Sequence, residues 1–218
     1  MFDDHPEGGT RVDIMRATYR ALQKHGYAGL SIQRIADETD LSKSTFYHHY
    51  EGKDDLLLSF LEFTLGQFLN DLSRLDTGDP RRDLRVFFDA VLFDTHPDEV
   101  TAKTGPDGDC PHDDSTGEID REAVKATVIE LRAHAVRDGR YREQFTAADE
   151  RMRDQLADII ARGVEGGQFH DVDVTRTADL LLTLAFGALL RPPTADVDAP
   201  SEVRDEIRQY VDDRLLAS

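Results

Sequence analysis

The segment from Leu30 to Leu57, LSIQRIADETDLSKSTFYHHYEGKDDLL, constrains this chain more than any other. It reads as two short helices, a tight turn between them and the opening of a third, longer helix. Ser31 is placed to N-cap the first helix, whose narrow apolar face is Ile32, Ile35 and Ala36. Thr39-Asp40 ends it, because Asp enters the left-handed conformation of a turn more readily than most residues. Ser42 caps the second helix, and Leu41 before it is spaced to staple onto Phe46. Phe46 and Tyr50 continue the inward face and leave Lys43, Ser44, Tyr47 and His48 pointing outward. A helix of about two turns with such a face buries little. Its use lies outside the chain, and its size and donors suit the major groove of DNA.

The run Leu41-Ser42-Lys43-Ser44-Thr45-Phe46-Tyr47-His48-His49-Tyr50, followed by Lys53-Asp54-Asp55-Leu56-Leu57, resembles the helix-turn-helix signature of the tetracycline-repressor (TetR) family of transcription regulators. The likeness extends from Thr10 to the start of the third helix. It implies an all-α fold, with a three-helix DNA-binding domain over residues 1–52 and a helical regulatory and dimerisation domain over 53–218. Residue chemistry and the resemblance together assign Gln33, Lys43, Ser44 and Tyr47 to base edges. Ser31, Thr45, His48 and Lys53 are assigned to phosphates, helped by the helix N-termini. Two positions depart from the family pattern: Asp40 stands where Gly is usual at the turn, and Ser44 stands where Gly is frequent. The second puts a side chain where backbone often approaches DNA, so base preference does not carry over.

Charge tests this reading. The 218 residues carry a net charge of −18, which opposes DNA binding if spread evenly. It is not spread evenly. Residues 10–50 hold six basic and four acidic side chains, a net of +2, whereas residues 61–218 hold 19 basic against 34 acidic, a net of −15. The acid is mostly Asp and the base mostly Arg, a bias resembling proteins of salt-loving archaea. At molar salt the Debye length is about 3 Å, so distant carboxylates repel DNA little. There is no Arg-rich or apolar leader and no apolar run of roughly 18 residues, which points to a soluble cytoplasmic protein. The single cysteine, Cys110, excludes an internal disulfide.

Along the rest of the chain, residues 1–9 read as a frayed arm, and Thr10 with Asp13 resembles a capping box. Ile14, Ala17, Ala21 and Leu22 then face inward on a helix that stops at His25-Gly26. Lys53 opens a long helix to about Arg74, broken by Thr77-Gly78-Asp79-Pro80. Leu84, Phe87, Phe88, Val91 and Leu92 follow the spacing of a core helix. Residues 94–118 read as a long loop. Further helices carry Val124 to Ala135, then Tyr141 to Ile160 with a stop at Gly166-Gly167, then residues 173–190, and finally Val203 to Leu215.

Residues 173–190 are apolar on nearly every side, which suits either a core centre or a partner chain. With the last helix they predict a four-helix seam between two copies, through Leu180, Leu184, Gly187, Ala188, Ile207 and Val211; similar regulators dimerise this way. The aromatic residues Phe60, Phe63, Phe68, Phe87, Phe88, Tyr141 and Phe145 are expected to line a pocket for a small apolar or aromatic effector. Regulators of this architecture keep an effector pocket in these helices. No cofactor is expected. The competing class is an all-helical enzyme, or a metal-dependent or redox sensor using His96, Cys110 and His112 in the long loop. That spacing matches no zinc pattern, and acidic neighbours discourage a reactive thiolate. No nucleophile with a base, Glu-x-x-His pair or phosphate-cradling Gly loop is present, and the adjacent His48-His49 diverge on a helix. The sequence therefore predicts a DNA-binding repressor, a homodimer released from operator DNA by an effector, without metal and without a membrane partner.

Overall fold

The computed structural model describes residues 6–93, 121–194 and 206, 209–211, 213, 215 and 216. Its named elements are all helices: α1 (Pro6–Gly29), α2 (Ile32–Ala36), α3 (Lys43–His49), α4 (Lys53–Ser73), α5 (Pro80–Phe93), α6 (Arg121–His134), α7 (Gly139–Glu165) and α8 (Val174–Thr194). The described residues between 206 and 213 are helical as well, and one isolated bridge pairs Phe169 with Leu216. The fold is all-α, with a helix-turn-helix at the N-terminal end and further helices after it.

Side-chain caps fix where several helices begin. The Ser31 and Ser42 hydroxyls accept from the backbone N–H of Arg34 and Thr45, each at 3.3 Å. Asp79, Asp138 and Asp173 do the same for α5, α7 and α8, accepting from Arg81, Arg140 and Arg176. Pro80 occupies the first position of α5, where its fixed φ suits the helix and no N–H is missed. Gly26 (φ 62°, ψ 174°) kinks α1, and Gly167 (φ 68°) follows the end of α7; both lie in the left-handed region that glycine enters without a Cβ clash.

Two expectations about helix ends are corrected. The first helix starts at Pro6, not at Thr10, so the Thr10–Asp13 pair lies inside α1 and residues 6–9 are helical. A proline at the first helical position is preorganised for that start. At the other end, α8 runs through Pro192 and Pro193 to Thr194 instead of breaking at Arg191.

The described residues form two compact units. The first holds α1 to α3, α4 as far as Gly66, α6, and α7 as far as Phe145. Its core includes Ile14, Leu22, Ile35, Phe46, Leu56, Leu57, Leu61, Leu131 and Tyr141, with α6 packed on α1. The second holds α4 from Gln67, α5, α7 from Thr146 and α8, with α5 against α8. Its buried residues include Leu72, Leu84, Phe87, Leu156, Ile159, Ile160 and Leu181. The division expected after residue 52 follows role; the compact units follow packing and cut α4 and α7 internally.

Candidate nucleic-acid interface

The helix-turn-helix is held from behind and open in front. On α2, Ile32, Ile35 and Ala36 are buried, while Gln33 and Arg34 are exposed. On α3, Phe46 is sealed and Tyr50, its C-cap, is buried beside it, whereas Lys43, Ser44, Tyr47, His48 and His49 are exposed. Leu41 is half-buried and packs against the same core, in keeping with the staple. Burial pushes the Tyr50 phenol above its ordinary range, and Asp55 and Glu62 add to this while Arg11 opposes it.

The eight residues assigned to DNA are not all alike. Lys43, Ser44, Tyr47 and His48 share α3 and its solvent-facing side. The Ser42, Ser44 and Thr45 hydroxyls form a local set, with Ser42 Oγ 2.7 Å from Ser44 Oγ and 3.0 Å from Thr45 Oγ1. Ser31 spends its oxygen on the α2 cap, and the Gln33 amide donates to Asp37 one turn along. Lys53 is placed differently. It is half-buried, and its ammonium donates to the Tyr27 carbonyl at 2.8 Å and lies 4.5 Å from the Tyr27 ring centre.

Around this face, Lys24 pairs with Glu38 at 2.7 Å, and Arg20 donates to the Glu38 carbonyl at 2.6 Å. Both tie α1 to the end of α2. Sequence reading did not single out these contacts, nor His134, whose Nε2 is hydrogen-bonded to the Tyr27 hydroxyl at 2.6 Å.

A model of bacterial regulatory proteins of the tetR family matches residues 14–60, and one of the BetI-type transcriptional repressor C-terminal region matches residues 115–216. A TetR transcription regulator from Haloarcula marismortui ATCC 43049 is 30% identical and aligns with a TM-score of 0.77, over 95% of this chain and 99% of that one. The chain belongs to the TetR family of transcription regulators. That family consists of DNA-binding transcription factors, not enzymes. A transcriptional regulator from Saccharomonospora viridis, solved in complex with choline, has the same fold: TM-score 0.75, 19% identity, 97% of this chain and 100% of that one. The HTH-type regulator YerO of Bacillus subtilis (strain 168) is 36% identical over 63 residues, 29% of this TetR-family chain and 22% of YerO. The chain thus matches less than a quarter of that curated relative's length.

The regulatory residues expected from sequence are distributed as follows. Phe60, Tyr141 and Phe145 are buried in the core of the first unit, with Phe63 half-buried against it. Phe68, half-buried, and the buried Phe87 and Phe88 belong to the second unit. A cleft of about 410 Å³ opens in the second unit between α7 and α8, bordered by Asp149, Glu150, Arg153, Asp179, Thr183 and Phe186; none of the seven aromatics lines it. Leu180 and Leu184 are 44% and 40% exposed, large for leucines, and Gly187 continues their stripe. Ala188 is buried within its own unit and Val211 is half-buried. Ile207, His96, Cys110 and His112 lie outside the described residues. Among the described residues no cluster of His, Cys, Asp or Glu is arranged to hold a metal, and no helix is long and apolar enough to cross a membrane.

Proposed function

We propose that this chain is a cytoplasmic, homodimeric repressor that reads a two-fold operator with α3 of each copy and leaves it when a small effector binds. The observation that carries the reading is α3 itself: Lys43, Ser44, Tyr47 and His48 stand in solvent on a helix immobilised by Phe46. Such a helix fits one major groove, and a two-fold pair would enter grooves about 34–36 Å apart or a multiple of it. Residues 1–52 would read DNA and residues 53–218 would regulate and dimerise. The match to a BetI-type repressor C-terminal region supports repression over activation. The exposed Leu180, Leu184 and Gly187 support a seam on α8. The acidic surface supports operation at molar salt.

For the effector, the aromatic residues of the regulatory helices favour an apolar or aromatic molecule. A quaternary ammonium is the second reading, favoured by the choline complex of the Saccharomonospora viridis regulator; aromatic faces that stack on a ring also attract such a cation. The test is selection of bound sequences from a random duplex pool at molar potassium salt. A recovered motif with two-fold symmetry is expected, and its loss with Tyr47→Ala. Thermal stabilisation by aromatic compounds or by choline, followed by operator titration with the better binder, then identifies the effector class. A saturating ligand must bind the DNA-incompetent state more tightly, since equal affinity shifts nothing. Recovery of no motif by the intact protein would refute sequence-specific reading.

A further inference from the structure

We infer that Tyr27 and His134 form a latch through which the corner between α6 and α7 holds both roots of the helix-turn-helix, so that movement of α6 reaches the reading helix directly. The inference rests on the DNA-reading role proposed above. All its members lie in the first compact unit.

The segment carrying α2 and α3 enters from α1 and leaves into α4. Its entry root is Tyr27, set just after the Gly26 kink and four residues ahead of the α2 cap, Ser31. Its exit root is Lys53-Asp54, the first turn of α4. The two roots are joined to each other, because Lys53 Nζ donates to the Tyr27 carbonyl at 2.8 Å and sits 4.5 Å from its ring centre. Each is also joined to the α6–α7 corner. The Tyr27 hydroxyl bonds His134 Nε2 at 2.6 Å, and the Tyr141 hydroxyl donates to the Asp54 carbonyl at 2.9 Å. The corner residues touch in turn: the His134 ring lies 5.2 Å from Tyr27, edge on, and 5.8 Å from Tyr141.

Three rings and the first turn of α4 therefore close a loop around the base of the reading unit. A hydrogen bond is either made or broken, so the Tyr27–His134 contact can switch the corner between a latched and an unlatched arrangement. Coupling needs a two-state element whose balance both sites bias. Here that element is the latched or unlatched α6 corner, with α4 as the exit root and not the sole lever.

The experiment uses the full chain in four forms besides wild type: Tyr27→Phe and His134→Phe, singly and combined, which keep a ring and remove the bond, and His134→Gln, which keeps a hydrogen-bonding side chain. Two readouts are taken: operator affinity across a salt series, and amide hydrogen exchange of residues 31–50 in the free protein. Both Phe variants are expected to weaken operator binding about 3- to 30-fold. The slope of affinity against salt should not change, because no phosphate contact is lost. Exchange across residues 31–50 should rise, the double Phe variant should be no worse than either single one, and His134→Gln should behave as wild type. Unchanged exchange of residues 31–50 in the His134→Phe variant overturns the latch, whether or not the wild type has selected a DNA motif. So does a lower melting temperature with unchanged exchange and affinity, which would make the contact packing only, or a reduced salt slope, which would make it a phosphate contact. If wild type selects no DNA motif while exchange responds as expected, the reading role fails and the latch stands.

Discussion

Phe46 and Tyr47 are neighbours on α3 and opposites in exposure, 0% for the phenylalanine and 59% for the tyrosine. A helix turns about 100° per residue, so one burial fixes where the next side chain points. Phe46 packs into a core shared with Ile14, Ile35, Leu56 and Leu57, and that seating keeps Tyr47 and Lys43, one turn apart, on the open side. Anchor and reader are thus separable by mutation.

Tyr47→Ala and Lys43→Ala should each weaken operator binding, the tyrosine variant more, by about 1–3 kcal/mol for a lost base contact. Melting temperature should stay near wild type in both, since neither side chain is in the core. Phe46→Ala should behave in the opposite way, costing about 3–5 kcal/mol of stability by opening a cavity. Calorimetry alongside fluorescence titration separates the two outcomes; wild-type affinity in both surface variants removes α3 as the reader.

What could be read in advance divides by range. The helix-turn-helix was legible because its determinants are local: the caps Ser31 and Ser42, the half-buried Leu41 and the buried Phe46 lie within a few residues of what they fix. The inward face of α5, with Leu84, Phe87, Phe88, Val91 and Leu92 all buried, was legible from spacing. Contacts between distant segments were not. Tyr27 and His134 are 107 positions apart, and neither residue carries a sign of the other. Lys53 shows the same limit. Its charge suggested a phosphate, while the fold supplies a carbonyl and an aromatic face that sequence does not locate. The seven aromatics were expected to line one pocket, but spacing names a face and not a neighbour, and they divide between two units. The start of α1 was misplaced because Thr10 and Asp13 mimic a cap, whereas the helix begins at Pro6.

The α8 stripe gives a second prediction. A Cβ built on Gly187 meets nothing within 4 Å among the described residues, so Gly187→Arg should be accepted by the protomer fold. Placed in a seam between two copies, the same guanidinium would be buried without a partner. Leu184→Arg tests the stripe one turn earlier. Light scattering should show monomers, with helical content by circular dichroism unchanged; a clean dimer of both variants would put the interface elsewhere.

Asp83 in α5 is fully buried. Its Oδ1 accepts from the Thr77 backbone N–H at 2.9 Å and from the Thr77 hydroxyl at 2.6 Å, and its Oδ2 lies 3.0 Å from the Arg162 guanidinium. Arg162 also reaches Asp76 and Asp158. Removing one partner of a buried pair strands the other charge. Arg162→Ala should therefore cost about 3 kcal/mol, the low end for such a pair because the guanidinium is itself partly exposed. Asp83→Asn, which leaves no stranded carboxylate, should cost less. Urea unfolding of the two variants checks the order; equal costs would show that the pair's charge is not what matters.

Alkaline pH gives the last prediction. The Tyr27 phenol is raised above its ordinary 10.0 by burial first, then by Asp54 and Glu130. Tyr141 is raised much further, by burial and then by Asp54, Tyr27 and Asp138. A phenol raised in the folded state keeps a proton that the unfolded chain gives up near pH 10. Its stabilising effect is therefore complete below about pH 10 and declines as pH climbs from there toward the folded value. Tyr141→Phe removes the stronger of the two titrations together with the hydrogen bond to the Asp54 carbonyl. The variant should start about 1 kcal/mol less stable at neutral pH. It should then lose less stability than wild type as the solution is made alkaline, so the two curves of unfolding free energy against pH converge above about pH 10. Lysines titrate in the same range but are common to both proteins, so the difference curve isolates the tyrosine. Parallel curves from neutral to alkaline pH would mean that the Tyr141 phenol is no harder to ionise in the fold than in the unfolded chain.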